Sequence, residues 1–118
     1  MNTPKKFRKV VSYKDYFDQF FVKQRTKVKQ KIIWTLELIE DIEVVPEKYL
    51  KHLTNTDGLY EVKVKFGTDI FRIFCFFDQD KLGVLMNGFQ KKTQKTPITE
   101  IEKALKIKDK YEKERKQS

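Results

Sequence analysis

Cysteine and histidine, on which most metal centres and many nucleophilic sites depend, are nearly absent from the sequence. The chain contains one of each, Cys75 and His52. A single cysteine excludes an internal disulfide and any zinc centre built from cysteines. Because Cys75 lies within a strand pattern, we expect it to be a small buried hydrophobic residue. A lone histidine excludes a catalytic site built from paired histidines and is weak evidence for any other catalytic role.

Long hydrophobic runs are also missing. No apolar stretch reaches the roughly 20 residues that a membrane-spanning helix needs. The first residues, Met1 to Lys9, lack the apolar core of a signal peptide. These absences predict a soluble cytoplasmic protein. The length of 118 residues predicts a single domain, 1–118, which is large enough to bury a core without disulfides.

Acidic residues are the third deficit. Seventeen Asp and Glu stand against 26 Lys and Arg, which gives a net charge of +9. The excess is uneven, since residues 1–31 carry ten Lys or Arg and two Asp, and the loop from Gln90 to Thr96 carries three Lys and no acid. Charge placed in this way predicts an anionic partner, namely nucleic acid, a membrane surface or an acidic protein. Simple solubility is the alternative.

The middle of the chain has the pattern of β-strands. From Tyr60 to Phe66, apolar and charged residues alternate strictly, as in a strand with one buried face. Residues Ile70 to Phe77 are almost continuously apolar, as in a central strand covered on both faces. Leu82 to Phe89 follows as a third strand. Short polar breaks between these segments predict a three-stranded antiparallel meander.

Helical patterns flank the meander. Aromatic residues recur at helical spacing from Tyr13 to Phe21, and an amphipathic pattern runs from Thr26 to Glu43. Thr96 and Pro97 have the residue types of an N-cap and a first helical position. They predict a last helix, which we expect either to fray or to continue as a solvated helix from Lys106.

Two short segments complete the predicted fold. Phe7 to Tyr13 fits a strand at a sheet edge, and Glu47 to Leu53 fits a short helical turn. The predicted fold class is therefore α+β. It consists of a twisted antiparallel sheet, made of the three-stranded meander plus the N-terminal edge strand, with two N-terminal helices and a C-terminal helix packed on one face.

Basic residues lie among the apolar residues of the meander. Lys63 and Lys65 project from one face of the first strand, and Arg72 interrupts the second. In an antiparallel meander, we expect Lys65, Arg72 and Lys91 to share one corner of the sheet. Such a corner suits a phosphodiester, because arginine binds phosphate through two N–H groups and lysine adds a point charge.

An arginine within an apolar strand has two explanations. Arg72 either forms a salt bridge with a nearby carboxylate such as Asp69 or Asp78, or binds an anion from outside the chain. Cleavage of RNA through the 2′-hydroxyl needs a base, charge stabilisation at phosphorus and an acid. A lysine whose pKa is lowered by neighbouring cations can serve as base or acid, and Glu61 is the carboxylate alternative. A surface that binds nucleic acid without cleaving it fits these residues equally well.

A second basic cluster precedes and opens the second predicted helix. It consists of Lys23, Arg25, Lys27, Lys29 and Lys31. Cations at the start of a helix oppose the helix dipole, so the cluster indicates a role other than helix stability. An ordinary solvated surface is the alternative.

Three segments together resemble a known family. They are Leu59-Tyr60-Glu61-Val62-Lys63-Val64, Ile70-Phe71-Arg72-Ile73-Phe74 and Leu85-Met86-Asn87-Gly88-Phe89-Gln90-Lys91-Lys92-Thr93-Gln94-Lys95-Thr96-Pro97. With the helices around them, they resemble the toxins of the RelE/ParE superfamily, and among these the HigB-like branch of small phage-related toxins. The resemblance covers almost the whole chain.

The resemblance implies a RelE-like fold and the toxin of a type II toxin–antitoxin system. Such a toxin is typically an mRNA interferase, an endoribonuclease that cleaves mRNA, usually in the ribosomal A site. It works without a metal or an organic cofactor. The implied partner is a cognate antitoxin, in this branch commonly a helix-turn-helix protein.

The resemblance also assigns site residues. The catalytic residues carried over by motif are Arg72, Lys63, Lys91 and Lys92. The residues expected to bind RNA are Lys65, Lys95, Phe89, Lys27 and Lys31.

The sequence departs from the family pattern at two places. The first strand carries Glu61 and Lys63 where well-studied members alternate two lysines. The C-terminal tyrosine or histidine of some members has no clear counterpart, since Tyr111 lies in the distal helix. Two alternatives therefore stay open: a ParE-like inhibitor of gyrase, and an RNA-binding module without enzymatic activity.

Overall fold

A five-stranded mixed β-sheet forms the centre of the protein in the computed structural model, which describes residues 6–117. Residues 1–5 and residue 118 lie outside the described part. Residues 1–5 include Lys5, one of the ten basic residues of 1–31. In chain order the elements are β1 (Lys9–Ser12), α1 (Tyr16–Phe21), α2 (Thr26–Asp41), β2 (Leu50–His52), β3 (Tyr60–Phe66), β4 (Asp69–Asp78), β5 (Leu82–Lys91) and α3 (Ile98–Gln117).

The predicted meander is confirmed, whereas the prediction of a wholly antiparallel sheet is wrong. Strands β3, β4 and β5 pair antiparallel in sequence, and the strand order is β1-β5-β4-β3-β2. Strand β1 lies at an edge, as expected, but it pairs with β5 in parallel. No tight turn joins these two strands, because α1, α2 and the rest of the sheet separate them in sequence. Their relative direction is therefore not restricted to antiparallel.

The predicted helical turn at Glu47 to Leu53 is confirmed only from Glu47 to Tyr49, and the rest of the prediction is wrong. After one turn, in which the Tyr49 amide donates to the Pro46 carbonyl at 2.9 Å, the chain enters β2. This strand pairs antiparallel with the first three residues of β3 and forms the other edge of the sheet. A segment this short has too few residues for its periodicity to separate helix from strand.

Helices cover both faces of the sheet, so the prediction of helices on one face is also wrong. On β4, Phe71, Ile73 and Cys75 pack in the cluster that contains α1 and α2, whereas Phe74 and Phe76 pack in the cluster that contains α3. We call these the α1/α2 face and the α3 face. The continuous apolar run of β4 requires this cover on both sides. Cys75 is buried, as expected.

The contact between α1 and the sheet depends on a glycine. A Cβ atom at Gly88 would lie 2.7 Å from the Phe20 ring, closer than van der Waals contact permits. The absence of a side chain at Gly88 therefore permits the close approach of α1 to this end of β5. Helix α1 begins at Tyr16, three residues later than the aromatic spacing indicates.

Of the two alternatives expected beyond Lys106, the solvated helix is confirmed, because α3 continues to Gln117 and most of its residues there are exposed. Its distal half is held by β4, because the Tyr111 hydroxyl donates to Asp78 at 2.7 Å and Arg115 pairs with the same carboxylate at 3.2 Å. These contacts join residues more than 30 positions apart, which local sequence patterns do not reveal. None of the helices in the described range is long and apolar enough to cross a membrane.

Helix α3 covers only part of its face. Near its start, the Asn87 side-chain amide donates to the Glu100 carbonyl at 3.3 Å and to the Glu100 carboxylate at 3.1 Å. From there the helix runs towards Asp78, at the far end of β4. The opposite end of the α3 face, which carries Lys63 and Arg72, lies beyond the start of the helix.

Candidate functional site

Basic side chains from three strands meet at the uncovered end of the α3 face. The strand register places Lys63 directly beside Arg72. Two residues before Arg72 on β4, Ile70 pairs with Lys65 on one side and with Lys91 on the other. Neighbouring strands are about 4.8 Å apart, so Lys63 and Lys91 flank Arg72 from its two neighbouring strands. The corner expected from the sequence is present, and Lys63 belongs to it as well.

Arg72 is buried, and two of its three guanidinium nitrogens have no hydrogen-bond partner among the described residues. Its side chain is 6% exposed, and among the described residues its Nε and Nη1 atoms have no hydrogen-bond acceptor. The expected alternative, a salt bridge with Asp69 or Asp78, is wrong. Asp69 pairs instead with Arg25 at 3.2 Å, and Asp78 accepts a hydrogen bond from Tyr111 at 2.7 Å.

A buried guanidinium without an acceptor is energetically costly, because its desolvation is not compensated by hydrogen bonds. Burial lowers the pKa of Arg72, and the nearby carboxylate of Glu61 opposes this effect. Arginine stays protonated even so, because its ordinary pKa is far above neutrality. The site therefore holds a fixed positive charge, two of whose nitrogen atoms are buried without an acceptor among the described residues.

Glu61 is the buried carboxylate of this cluster. It is 4% exposed, and its Oε2 atom accepts a hydrogen bond from the Thr96 hydroxyl at 2.7 Å. The prediction that Thr96 caps α3 is therefore wrong, because its hydroxyl makes a stronger bond to an ionised carboxylate. The helix begins at Ile98. Glu61 thus ties the start of α3 to β3 while adding one negative charge to a group of cations.

The two lysines beside Arg72 lose protons more readily than an exposed lysine. Burial lowers the pKa of Lys63, and the positive charges of Arg72 and Lys51 lower it further, while Glu61 raises it. Burial likewise lowers the pKa of Lys91, with the same contributions from Arg72 and Lys51 and the same opposition from Glu61. Both side chains can therefore exchange protons closer to neutral pH than ordinary lysines.

Lys51 is a member of this cluster that the sequence analysis missed. It lies on β2 and pairs in register with Glu61, which places it near the site. The segment was predicted to be helical, and a helix would not pair Lys51 with Glu61. The local signal of a strand here is the alternation of apolar Leu50 and basic Lys51. The signal is weak, because β2 has three residues and a period cannot be recognised over so short a segment.

A comparison with protein families identifies the family of the chain. The family model described as Phage derived protein Gp49-like (DUF891) matches residues 19–109, from within α1 through most of α3. The chain belongs to the Gp49-like family. These are RelE-like toxins, so the resemblance to that superfamily is confirmed at this level, and RelE-type toxins are endoribonucleases. A comparison with curated proteins finds no match.

Lys51, Glu61, Lys63, Arg72 and Lys91 are called the Arg72 cluster below. The other predicted residues of the Gp49-like chain lie around this cluster and differ in how exposed they are. Lys65 is exposed on β3, and Lys92 and Lys95 are exposed in the loop that follows β5. Phe89 is half-buried and stacks on Phe74, with ring centroids 5.7 Å apart. Its ring therefore covers the core under α3 as well as bordering the site.

The two predicted residues of α2 are separated by the fold. Lys31 lines a cavity of about 380 Å³ at the edge of β3, together with Lys63 and Lys65. Lys27 is exposed on α2 and does not line this cavity. Of the five basic residues that precede and open α2, Lys31 therefore shares a cavity with Lys63 of the Arg72 cluster.

Proposed function

We propose that this Gp49-like protein is the toxin of a type II toxin–antitoxin system and cleaves mRNA on the ribosome. We place it in the HigB-like branch with a RelE-like fold, as one cytoplasmic toxin domain, 1–118, that needs no metal. The observation that carries the proposal is the buried Arg72 guanidinium, whose Nε and Nη1 atoms have no acceptor within the described residues. A substrate phosphate would supply the missing acceptors.

The reaction that fits this site is transesterification at phosphorus. The 2′-oxygen of the RNA attacks the adjacent phosphorus, and the bond from phosphorus to the 5′-oxygen breaks. The products are a 2′,3′-cyclic phosphate and a free 5′-hydroxyl. Arg72 binds the non-bridging oxygens, where negative charge increases in the transition state.

The proton transfers are assigned to the two lysines that flank Arg72. Neutral Lys63 accepts the proton of the 2′-hydroxyl, and the Lys91 ammonium donates a proton to the leaving 5′-oxygen. The lowered pKa of both side chains supports these roles. Glu61 is less suited to act as the base, because its carboxylate is buried and bonded to Thr96.

Exposed lysines extend the positive surface beyond the scissile phosphate. Lys65 on β3 and Lys92 and Lys95 in the loop after β5 are placed to contact neighbouring phosphates of the RNA. Phe89, beside Arg72 in the register, borders the position of the adjacent nucleotide. Lys27 contributes at most to long-range attraction.

The Gp49-like family implies an antitoxin partner in general. We propose a helix-turn-helix protein that neutralises the toxin by placing an acidic segment against the Arg72 cluster. Such a segment would satisfy the same guanidinium atoms that the substrate phosphate uses. Antitoxin and RNA would therefore compete for one site.

Expression of the chain in a bacterial host tests the proposed function. We expect growth arrest with cleaved mRNA when the chain is expressed alone, and normal growth when the product of its neighbouring reading frame is expressed with it. Growth unchanged in both cases would contradict the toxin assignment. Arrest with intact mRNA and inhibited gyrase would favour the ParE-like alternative, and RNA binding without cleavage would favour the non-enzymatic module.

A further inference from the structure

Two aromatic rings lie side by side on the surface between α2 and β2. Trp34 is 45% exposed, and the Tyr49 ring meets it edge to face at a centroid distance of 5.7 Å. Lysines approach both rings, with Lys31 Nζ 4.2 Å from the centre of Trp34 and Lys48 Nζ 5.0 Å from the centre of Tyr49. We call these four residues the Trp34/Tyr49 platform.

The platform is connected to the Arg72 cluster by a cavity and by the backbone. The cavity of about 380 Å³ is lined by Lys31, Thr35, Lys48, Tyr49, Lys63, Lys65 and Gly67, and these lining residues include no carboxylate. The Lys63 amide donates to the Tyr49 carbonyl at 2.8 Å, which holds the aromatic residue next to a lysine of the site. A ligand bound at Arg72 can therefore continue directly onto the platform.

The composition of the platform matches a nucleotide better than a peptide. A nucleotide presents a flat π-face, which stacks on aromatic rings, and a phosphate, which pairs with lysine. An acidic peptide strand added to the open edge of β3 would use the lysines and the backbone, but not the exposed face of an indole. Single-stranded RNA has the unstacked bases that such a surface requires.

We propose that the Trp34/Tyr49 platform is a second RNA subsite, which stacks an unpaired base flanking the phosphate bound at Arg72. This inference rests on the proposed function, because it takes the same RNA as ligand. Tyr49 and Trp34 provide the stacking surface, and Lys31 and Lys48 bind the phosphates on either side of the base. The subsite would raise affinity for single-stranded over duplex RNA at the cleavage position.

A binding experiment with two probes separates stacking from charge. The first probe is a fluorescent 2′-O-methyl oligoribonucleotide, in which the 2′-oxygen is blocked so that cleavage is impossible. The second has the same backbone with abasic residues in the middle. We expect Tyr49→Leu and Trp34→Leu each to weaken binding of the first probe about tenfold and to leave the second unchanged. Fluorescence anisotropy measures both affinities.

Two control variants accompany these changes. Tyr49→Phe keeps the ring and is expected to bind like the wild type. Phe7→Leu removes a ring that is 44% exposed, nearly as much as that of Trp34, but Phe7 precedes β1, at the opposite edge of the sheet from β2. It is expected to change neither affinity. A thermal melt of each variant checks that it is folded.

The outcomes distinguish this inference from the proposed function. If Tyr49→Leu and Trp34→Leu bind both probes as tightly as the wild type does, the subsite is overturned. If they lose only the binding of a glutamate-rich peptide, the surface is a protein-binding edge and the inference is likewise overturned. Failure of the proposed function would appear separately, as the absence of mRNA cleavage by the wild-type protein.

Discussion

Arg72→Ala is expected to reduce cleavage of ribosome-bound mRNA by about 10²–10³-fold, because it removes the donor that stabilises negative charge at phosphorus. Its stability is expected to be unchanged or higher, since the buried cation has no hydrogen-bond acceptor to lose at Nε and Nη1 among the described residues. Single-turnover cleavage by the purified variant measures the first effect, and a thermal melt measures the second.

Matched variants separate the guanidinium from its charge. Arg72→Lys keeps the charge but loses the two-pronged geometry, so we expect an intermediate loss of activity. Arg25→Ala removes the same charge from an exposed pair with Asp69 and is expected to cleave at nearly the wild-type rate. Lys91→Ala and Lys92→Ala should each cost less than Arg72→Ala, because neighbouring cations partly substitute. An Arg72→Ala variant with wild-type activity would show that the site is wrongly placed, and an unfolded one would show a structural role.

RNA binding is expected to weaken steeply with salt. If Lys31, Lys48, Lys65, Arg72 and Lys91 each neutralise one phosphate, the affinity for single-stranded RNA should fall by about 10²-fold between roughly 50 and 200 mM salt. The loss follows from counterions, which the RNA releases when a cation of the protein replaces them. Anisotropy titrations with the uncleavable 2′-O-methyl probe, repeated over this range of salt, measure the slope.

Charge variants test which lysines contribute to that slope. Lys31→Gln is expected to make the logarithmic slope shallower by about 0.7, the value for one phosphate of a single strand. Lys81→Gln, at the opposite end of β5 from Lys91, loses the same charge far from the proposed RNA path and should leave the slope unchanged. An affinity that does not depend on salt would contradict an electrostatic mode of binding.

The central sheet is predictable from the sequence because its patterns are local. Alternation from Tyr60 to Phe66 and the apolar run after Ile70 determine two strands, and the short Gly67–Thr68 turn between them leaves only antiparallel pairing. The small residue Gly88 likewise indicates a close approach, which the Phe20 ring makes. Each of these signals lies within a few residues of the feature that it predicts.

The errors concern relations between distant segments. Strand β1 lies beside β5, more than 70 residues later, and no local pattern specifies the direction of that pairing. Thr96 has the residue type of a helix cap, yet a carboxylate 35 positions earlier takes its hydroxyl. The three-residue β2 is too short to show a period. Tertiary contacts, rather than local preference, decide all three.

The residue types of the candidate site are predictable from the sequence, but the partners of its side chains are not. Spacing along β3 and β4 is sufficient to bring Lys63 and Arg72 together. Arg72 does not pair with Asp69 or Asp78, because Arg25 pairs with Asp69 and Tyr111 donates to Asp78. Arg25 and Tyr111 both lie far from β4 in the sequence, so local patterns do not reveal these contacts. The Trp34/Tyr49 platform was missed for the same reason, because its two rings meet only after α2 packs against the sheet.

On the proposed function, the Arg72 guanidinium binds the phosphate of the RNA. The most direct measurement follows the Arg72 Nε–H resonance by NMR while the 2′-O-methyl oligoribonucleotide is added. Arg8 serves as the internal reference, since its guanidinium already donates to the carbonyls of Ile39 and Ile42 at 2.8 and 2.7 Å. We predict that the Arg72 signal shifts and becomes protected from exchange with water in step with binding, while that of Arg8 stays constant. An Arg72 signal that is unchanged when the protein is saturated with RNA would contradict the account.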